Sequence, residues 1–314
     1  MRSSATSRTV ERLARAKVNL FLHILGQRPD GYHRIESLAV FPELGDCLSL
    51  EHSHGLSLSL DGSFGLELSA DQDNLVLRAA ALLRDWAATT GAAANGLTLG
   101  AALHLQKSLP VASGIGGGSA DAAAALLGLS ELWDLMVPRD EMHRLATMLG
   151  ADVPVCLDPS PQWMRGIGED IAPVASLPPF ALLLINPGVA VATAEVFKTL
   201  ATKHNPPAEP LPDTSHDLAA FVDWLARQRN DLEPPARALR PVIEMVTGAL
   251  RVLDGCQLAR MSGSGATCFG MFETVEQARH GAEQVRAAQP AWWVAAAPVA
   301  GTTTEMEHSA QSAP

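Results

Sequence analysis

The sequence has few cysteines and no long apolar run, and each shortage excludes a class of protein. Four cysteines in 314 residues, with no close pair and no CxxC motif, are too few for a disulfide scaffold. We expect all four to be reduced, buried thiols in a cytoplasmic protein. No apolar run reaches the roughly 18 residues of a membrane span, and the first residues lack the apolar region of a signal peptide.

Basic residues and aromatic residues are also scarce. The 23 Lys and Arg against 34 Asp and Glu give a net charge of −11, which disfavours nucleic acid and anionic membranes as partners. Aromatic residues make up 5% of the chain, with a single tyrosine, Tyr32. The hydrophobic fraction of 47% is nevertheless too high for a disordered chain. The length suits two globular domains, which we place at residues 1–165 and 166–314.

Alternation of side chains predicts a strand over residues 13–25 that carries Lys17 and Asn19 on one face. Further strands are predicted at residues 35–41, 47–51, 56–60, 97–105, 180–186, 257–261, 267–272 and near Trp293. Helices are predicted at residues 74–90, from about Ser119, at 140–149, 193–203, 218–229, 241–254 and up to about Ala288. In the second half the order is strand, helices, strand, strand, helix, strand, which predicts a ferredoxin-like split βαβ plan. Residues 203–214 are proline-rich and predict a surface loop.

A glycine-rich segment precedes the helix near Ser119, and we define it as residues 110–120. Its members are Pro110, Val111, Ala112, Ser113, Gly114, Ile115, Gly116, Gly117, Gly118, Ser119 and Ala120. Glycines let backbone amides approach an anion, and a helix N-terminus adds partial positive charge, so phosphate is the natural ligand. Such a turn can also serve only to pack a strand against a helix. Ser119 breaks the dinucleotide pattern GxGxxG, and Ala120 stands where a P-loop needs lysine.

The remaining pattern, PxxxGxGGGSxDAA, resembles the phosphate loop of the GHMP kinases, which include galactokinase, homoserine kinase and mevalonate kinase. Further motifs, AK-x-NL-x-L, DGYH, LGADVP and SGSGA, lie in the same order between residues 16 and 269 and are similar to one family within that superfamily. The resemblance implies an α+β, two-layer GHMP kinase fold. Its N-terminal domain would be of the ribosomal-protein-S5-domain-2-like type and its C-terminal domain ferredoxin-like.

The resemblance also implies a reaction. It is ATP-dependent phosphorylation of a tertiary alcohol, the 2-hydroxyl of a cytidine-diphosphate-linked methylerythritol, in non-mevalonate isoprenoid biosynthesis. ATP would be the co-substrate, Mg²⁺ would be carried with ATP, and the protein would be a monomer or weak homodimer. The alternatives are a sugar or homoserine kinase of the same fold, or a nucleotide-binding protein without catalytic activity.

Residue by residue, the family's catalytic lysine and aspartate fall on Lys17 and Asp152. ATP would bind the glycine-rich segment. The residues assigned to the cytidyl substrate are Asn19, Tyr32, His33, Thr193 and Phe197, with Tyr32 and Phe197 sandwiching the cytosine. Taken singly, Lys17 would pass for an exposed charge on a strand, Asp152 for a turn residue and Phe197 for helix core. A second glycine turn, residues 263–265, would lie near the ATP phosphates or form a tight hairpin between strands.

Overall fold

A computed structural model describes residues 8–92, 99–213 and 217–299. Residues 97 and 98 of one predicted strand, and residue 214 of the predicted proline-rich loop, lie outside these ranges. The chain forms two compact units, each built from several segments. Within the described residues, the first unit takes segments 8–16, 45–111 and 116–158, and the second takes 17–44, 112–115 and 159–299. The predicted domain boundary at residue 165 stays a prediction.

The described residues contain twelve strands, eight α-helices and two short 3₁₀ turns at Gly65–Glu67 and Pro154–Leu157. The strands are β1 (Thr9–Arg15), β2 (Val18–Gln27), β3 (His33–Val40), β4 (Gly45–His52), β5 (Leu56–Asp61), β6 (Ala101–Gln106), β7 (Gln162–Gly166), β8 (Asp170–Pro173), β9 (Phe180–Asn186), β10 (Leu258–Met261), β11 (Cys268–Phe272) and β12 (Trp293–Val299). The helices are α1 (Leu75–Thr90), α2 (Gly117–Leu132), α3 (Arg139–Leu149), α4 (Thr193–Lys198), α5 (Leu218–Ala226), α6 (Glu233–Leu239), α7 (Val242–Arg251) and α8 (Val275–Ala288).

The first unit is one four-stranded sheet with helices α1, α2 and α3. The strand order is β1-β4-β6-β5, and only the β5–β6 pair is parallel. Helix α1 begins where the Asn74 side chain accepts a hydrogen bond from the Val76 amide (2.9 Å), and it ends at Gly91 with φ +68°. These are the start and stop signals that the sequence carries, and they confirm the predicted helix. Helix α2 packs on β1 and β4.

The second unit contains two four-stranded antiparallel sheets, in the orders β2-β3-β7-β8 and β10-β11-β9-β12. In the second of these sheets α8 lies between β11 and β12 in the chain, so the predicted split βαβ order is confirmed. Strand β9 is buried at every residue, because its side chains enter the hydrophobic core of this unit on one face and contact further buried residues on the other. No helix within the described ranges combines the length and apolar character that a membrane crossing requires.

The strand predicted over residues 13–25 is wrong as a single element. The chain changes sheets at Ala16 and Lys17, since β1 pairs with β4 whereas β2 pairs with β3. Alternation continues through the change of sheet, so periodicity alone cannot reveal it. The predicted helix at 193–203 ends already at residue 198, and β7, β8 and α6 were not predicted. Helix α6 was missed because its first turn contains two consecutive prolines, which the helix tolerates only there.

The cysteines differ in exposure. All four are free thiols in the structure, and Cys156 and Cys268 are buried. The prediction that all four are buried is wrong for Cys47, which is exposed on β4, and for Cys256, which is only partly buried. Position 47 alternates with buried leucines along β4 and therefore faces solvent.

His23 on β2 is fully buried and acts as a backbone acceptor. Its Nε2 accepts a hydrogen bond from the Arg229 amide (2.9 Å), so the neutral ring carries its hydrogen on Nδ1. Burial, reinforced by the Arg229 guanidinium, lowers the pKa of His23 from 6.5 to about 4. Between about pH 6.5 and pH 4, His23 is therefore protonated in the unfolded chain but neutral in the folded chain. Stability from His23 is present above that pH and lost as the pH falls towards 4.

We expect His23→Gln to reduce the acid sensitivity of folding, because glutamine can accept the Arg229 hydrogen bond without titrating. Between pH 7.5 and pH 4.5, the wild type should lose about 2–3 kcal/mol more unfolding free energy than the variant. Urea unfolding of both proteins at the two pH values measures this difference. Equal losses in the two proteins would show that folding does not lower the pKa of His23.

Candidate active site

The glycine-rich segment leads into helix α2 through an alternating backbone. Ala112, Gly114 and Gly116 have φ values of +50°, +78° and +66°, in the left-handed region that favours glycine. Helix α2 then starts at Gly117, with Gly116 as its N-cap and no side chain capping its first turn. Alternating backbone of this kind turns successive amides towards a common point, and an uncapped helix start presents further amides. Both features suit an anion.

The second glycine turn is a hairpin connection and also a neighbour of the glycine-rich segment. It joins β10 to β11, which pair antiparallel up to Met261 and Cys268. The Ser262 hydroxyl donates to the Gly114 carbonyl (3.1 Å), and the Thr267 amide donates to the Ser113 carbonyl (3.1 Å). The hairpin alternative for residues 263–265 is therefore confirmed, and the expected position near the ATP phosphates stays a prediction.

The backbones of the glycine-rich segment and the second glycine turn come so close that position 114 has no room for a side chain. A Cβ there would lie 2.6 Å from the Gly265 carbonyl oxygen and 2.8 Å from the Ser262 carbonyl oxygen. Glycine is therefore required at position 114 for two reasons: its positive φ and the close approach of the second glycine turn.

Lys17 lies beside the same segment. Its amide donates to the Ile115 carbonyl (2.9 Å), and the residue is only 4% exposed. Two residues on, the Asn19 amide donates to the Ser262 hydroxyl (3.1 Å). The alternative of an exposed charge, which Lys17 taken singly would suggest, is wrong. Lys17, the residue before β2, is instead buried beside the glycine-rich segment.

Asn19 and Thr193 make side-chain contacts within the protein. The Asn19 amide group donates to the Ser37 hydroxyl (2.7 Å), which in turn donates to the Phe21 carbonyl (2.6 Å). The Thr193 hydroxyl lies 2.8 Å from the hydroxyl of Ser264, in the second glycine turn. The structure thus brings Thr193, the first residue of α4, to the same turn that contacts the glycine-rich segment.

Tyr32 and Phe197, the residues expected to sandwich the cytosine, have different surroundings in the structure. The rings of His33 and Phe197 are stacked, with centroids 4.9 Å apart and planes at 28°. We call these two residues the aromatic pair. Burial, followed by the charge of Lys203, lowers the pKa of His33 and favours its neutral ring. Tyr32 is 60% exposed in the turn before β3, where its amide donates to the Asp30 carboxylate (3.2 Å).

Asp152 belongs to the first unit. It follows helix α3, which ends at Gly150, and it is half-buried just before the 3₁₀ turn Pro154–Leu157. The Cys156 thiol donates to the Asp152 carbonyl (3.2 Å), which fixes the backbone that carries the carboxylate. Its position at the start of a 3₁₀ turn agrees with the turn-residue alternative, which does not conflict with a catalytic role.

Sequence reasoning missed three charged residues of the first unit that are almost wholly buried: Lys107, Asp46 and Asp121. The Lys107 ammonium donates to both carboxylates, at 2.8 Å in the case of Asp121. We call these three residues the Lys107 clamp. The available signal was that Lys107 and Asp121 flank the glycine-rich segment on its two sides in the sequence.

Family models match both halves of the chain. The model described as GHMP kinases N terminal domain matches residues 74–158, and the model described as GHMP kinases C terminal matches residues 211–291. A crystal structure of homoserine kinase from Cytophaga hutchinsonii superimposes with a TM-score of 0.69 over 95% of this chain and 97% of that chain, at 18% identity. The fold is therefore the α+β GHMP kinase fold, and the protein is an ATP-dependent small-molecule kinase.

More similar relatives narrow the family. A protein of Cereibacter sphaeroides named 4-diphosphocytidyl-2-C-methyl-D-erythritol kinase is 52% identical over 295 residues, covering 93% of this chain and 99% of that protein. A crystal structure of 4-(cytidine 5'-diphospho)-2C-methyl-D-erythritol kinase gives a TM-score of 0.74 at 36% identity, covering 93% of this chain and 100% of that chain. The chain belongs to the 4-diphosphocytidyl-2-C-methyl-D-erythritol kinase family.

Proposed function

We propose that the chain transfers the γ-phosphate of ATP to the 2-hydroxyl of 4-diphosphocytidyl-2-C-methyl-D-erythritol, a step in non-mevalonate isoprenoid precursor biosynthesis. The observation that carries the kinase chemistry is the Lys17 amide bonded to Ile115 (2.9 Å), which places a buried lysine against the glycine-rich segment. The choice of substrate is supported by the names of the relatives. The predicted cytoplasmic location and monomeric or weakly dimeric state stay predictions.

The glycine-rich segment binds the phosphates of ATP in this proposal. Amides of the uncapped first turn of α2 donate to phosphate oxygens, and the partial positive charge of the helix N-terminus adds to the attraction. Gly118 is exposed, so its backbone is open to a ligand. Ser262 and Thr267 hold the segment in place through their hydrogen bonds to the carbonyls of Gly114 and Ser113.

Lys17 and Asp152 divide the chemistry of transfer. Asp152 accepts the proton of the substrate hydroxyl as its oxygen attacks phosphorus, which a carboxylate can do when held at hydrogen-bond distance. Lys17 stabilises the negative charge on the attacking oxygen and on the transferring phosphoryl group. Burial strengthens this effect, because a charge screened from water acts over a lower effective dielectric.

Mg²⁺ is expected to enter with ATP. Among the described residues, no group of three or more His, Cys, Asp or Glu side chains is placed to hold a metal ion. At ATP sites Mg²⁺ is commonly held mainly by phosphate oxygens and water, which is the mode proposed here. When bound, the ion would neutralise phosphate charge, while the chain's own contribution remains Lys17 and the α2 amides.

Recognition of the cytosine falls to the aromatic pair and Tyr32. The His33 Nε2 atom is buried and has no hydrogen-bond partner among the described residues, so it can serve a polar atom of the base. Phe197 holds the His33 ring by stacking, and the exposed Tyr32 ring can close over a base from outside. The Tyr32–Phe197 sandwich of the cytosine stays part of this proposal, with Phe197 also stacked on His33.

Phe197→Ala should raise the KM for the cytidyl substrate by about tenfold or more, because one aromatic stack is worth about 1–3 kcal/mol. The KM for ATP should stay within about twofold of wild type, since Phe197 has no role at the glycine-rich segment. Steady-state kinetics with each substrate varied in turn measures both constants. A parallel rise in both KM values would indicate general damage to the second unit.

The single tyrosine provides an independent check on this prediction. Protein labelled with 3-fluorotyrosine gives one ¹⁹F resonance, which must come from Tyr32. Cytidine diphosphate should shift that resonance, and the concentration needed should rise in Phe197→Ala. A resonance unchanged at saturating cytidine diphosphate would remove Tyr32 from the base site.

A substrate panel tests the proposed reaction. Purified protein with ATP and Mg²⁺ should release ADP with the cytidyl substrate, and not with galactose, homoserine or mevalonate at the same concentration. Turnover with one of the latter and none with the cytidyl substrate would replace the assignment by another GHMP kinase activity. ATP binding without turnover of any substrate would favour the nucleotide-binding alternative.

A further inference from the structure

The Lys107 clamp joins the two ends of the glycine-rich segment. Lys107 follows β6 and lies three residues before the segment, while Asp121 is the residue immediately after it, in the second turn of α2. The Lys107 ammonium bonds both Asp121 and Asp46, and the exposed fractions of the three residues are 2%, 2% and 0%. All three belong to the first unit.

Asp46 fixes the entry to the segment. One of its carboxylate oxygens accepts hydrogen bonds from the amides of Ser108 (2.6 Å) and Leu109 (2.8 Å), and the other accepts from Lys107. The backbone from residue 107 to 109 is therefore held by one buried side chain. Because Lys107 also bonds Asp121, the same cluster holds the helix that begins at the exit from the segment.

Gly117 makes room for the ammonium. A Cβ at this first residue of α2 would lie 3.0 Å from the Lys107 Nζ atom, closer than ordinary side-chain contacts. The Lys107 ammonium thus lies directly beneath the turn whose amides face the phosphates in the proposed reaction. The ammonium is too buried to bind phosphate itself, so Lys107 can affect a bound phosphate only by fixing the backbone at the start of α2.

Burying these charged groups costs free energy, which argues that the Lys107 clamp does more than stabilise the fold. Asp121 keeps one carboxylate oxygen buried without a hydrogen-bond partner among the described residues. Burial raises the pKa of Asp121 to about 7 although Lys107 opposes the shift. A buried charge cluster of this kind often stabilises a protein less than apolar residues of similar volume would.

We propose that Lys107 and Asp121 are positioning residues for ATP, which tie α2 to the strand exit and so preorganise the amides of the glycine-rich segment. The inference rests on the proposed binding of ATP phosphates by that segment. Glycine gains the most backbone freedom when it is unrestrained, so a segment with four glycines depends on restraint at its ends. Loss of the tie lets the first turn of α2 shift relative to residues 107–109. A misplacement of about 1 Å can lower a reaction rate about a hundredfold.

Asp121→Ala is the main test, because it cuts the tie to α2 and leaves the Lys107–Asp46 pair intact. Alanine continues the alanine run of the helix, so the melting temperature should be unchanged or higher. Affinity for a non-hydrolysable ATP analogue, measured by titration calorimetry, should fall about tenfold or more, with a matching rise in the KM for ATP. The KM for the cytidyl substrate should change less than about twofold. Lys107→Met, which cuts both ties, should lower ATP affinity at least as far.

Leu145→Ala is the matched control, since Leu145 is buried in α3 of the same unit and its truncation destabilises the fold without touching the clamp. It should lower the melting temperature with ATP affinity unchanged. Wild-type ATP affinity in Asp121→Ala, or an equal loss in Leu145→Ala, would overturn the positioning role. Failure of the wild type to turn over the cytidyl substrate would instead contradict the proposed reaction, because ATP binding is measured separately.

Discussion

Replacing Asp152 by asparagine should lower kcat by about 10²–10⁴-fold while ATP affinity stays close to wild type. Asparagine keeps the size and most hydrogen bonds of the side chain but cannot accept the substrate proton. Because Asp152 is half-buried in a short turn held by its own carbonyl, the exchange should leave the fold intact. Single-turnover measurement of phosphoryl transfer, together with ATP binding, separates the chemical step from substrate binding.

Asp140→Asn is the matched control for this prediction. Asp140 is an exposed aspartate in the first turn of α3, in the same unit as Asp152. The same chemical exchange at this site should leave kcat within about twofold of wild type. If Asp152→Asn keeps more than about a tenth of the wild-type kcat, Asp152 does not take the proton in the transfer step.

Gly114→Ala should abolish ATP binding almost completely, with kcat/KM for ATP reduced by about a hundredfold or more. The new Cβ would lie 2.6 Å from the Gly265 carbonyl oxygen, and backbone on both sides leaves no flexible side chain to move aside. The φ of +78° adds strain of about 1–2 kcal/mol for any L-residue with a side chain. The two glycine-rich turns would separate, and the amides of residues 112–115 would move with them.

Gly188→Ala separates the two causes of that effect. Gly188 has a φ of +74°, but a Cβ there would meet no atom within 4 Å. It therefore carries the backbone strain without the clash, and we expect a modest fall in the melting temperature with normal ATP affinity. Similar kinetic losses in the two variants would mean that backbone strain, rather than the packing of the two turns, is responsible. Calorimetric titration and thermal melting of both variants provide the comparison.

Local signals in the sequence were sufficient for most of the helices and strands. Asn74 and Gly91 mark both ends of α1, and the β9 prediction at residues 180–186 is confirmed residue for residue. The split βαβ order of the second half followed from element order alone and is confirmed. These features depend on neighbours in the chain, which a sequence pattern displays directly.

Contacts between distant segments could not be predicted in the same way. The change of sheet at Lys17 depends on whether β1 or β2 pairs with a given partner, and alternation is the same in either case. Asp46 lies 61 residues from Lys107, so its place in the Lys107 clamp carries no local signature. Stacking of His33 on Phe197 likewise joins residues far apart in sequence, so no local motif displays it.

The roles of individual residues came from motifs and stay predictions. Within the second unit, Lys17 and the second glycine turn contact residues 113–115 of the glycine-rich segment, and Thr193 contacts the second glycine turn. For Asp152 it gives a half-buried carboxylate in the other unit. Its assignment as the base therefore depends on the LGADVP motif, and the Asp152→Asn experiment decides it.

Phosphorus NMR of the reaction product tests the central claim most directly. The purified protein is incubated with ATP, Mg²⁺ and 4-diphosphocytidyl-2-C-methyl-D-erythritol. One new phosphomonoester signal should appear, equal in amount to the ADP formed, and the two diphosphate signals of the cytidyl group should remain. The carbon bearing the new phosphate should be the tertiary C2. ADP accompanied only by inorganic phosphate, or a phosphate on a primary hydroxyl of the substrate, would contradict the proposed reaction.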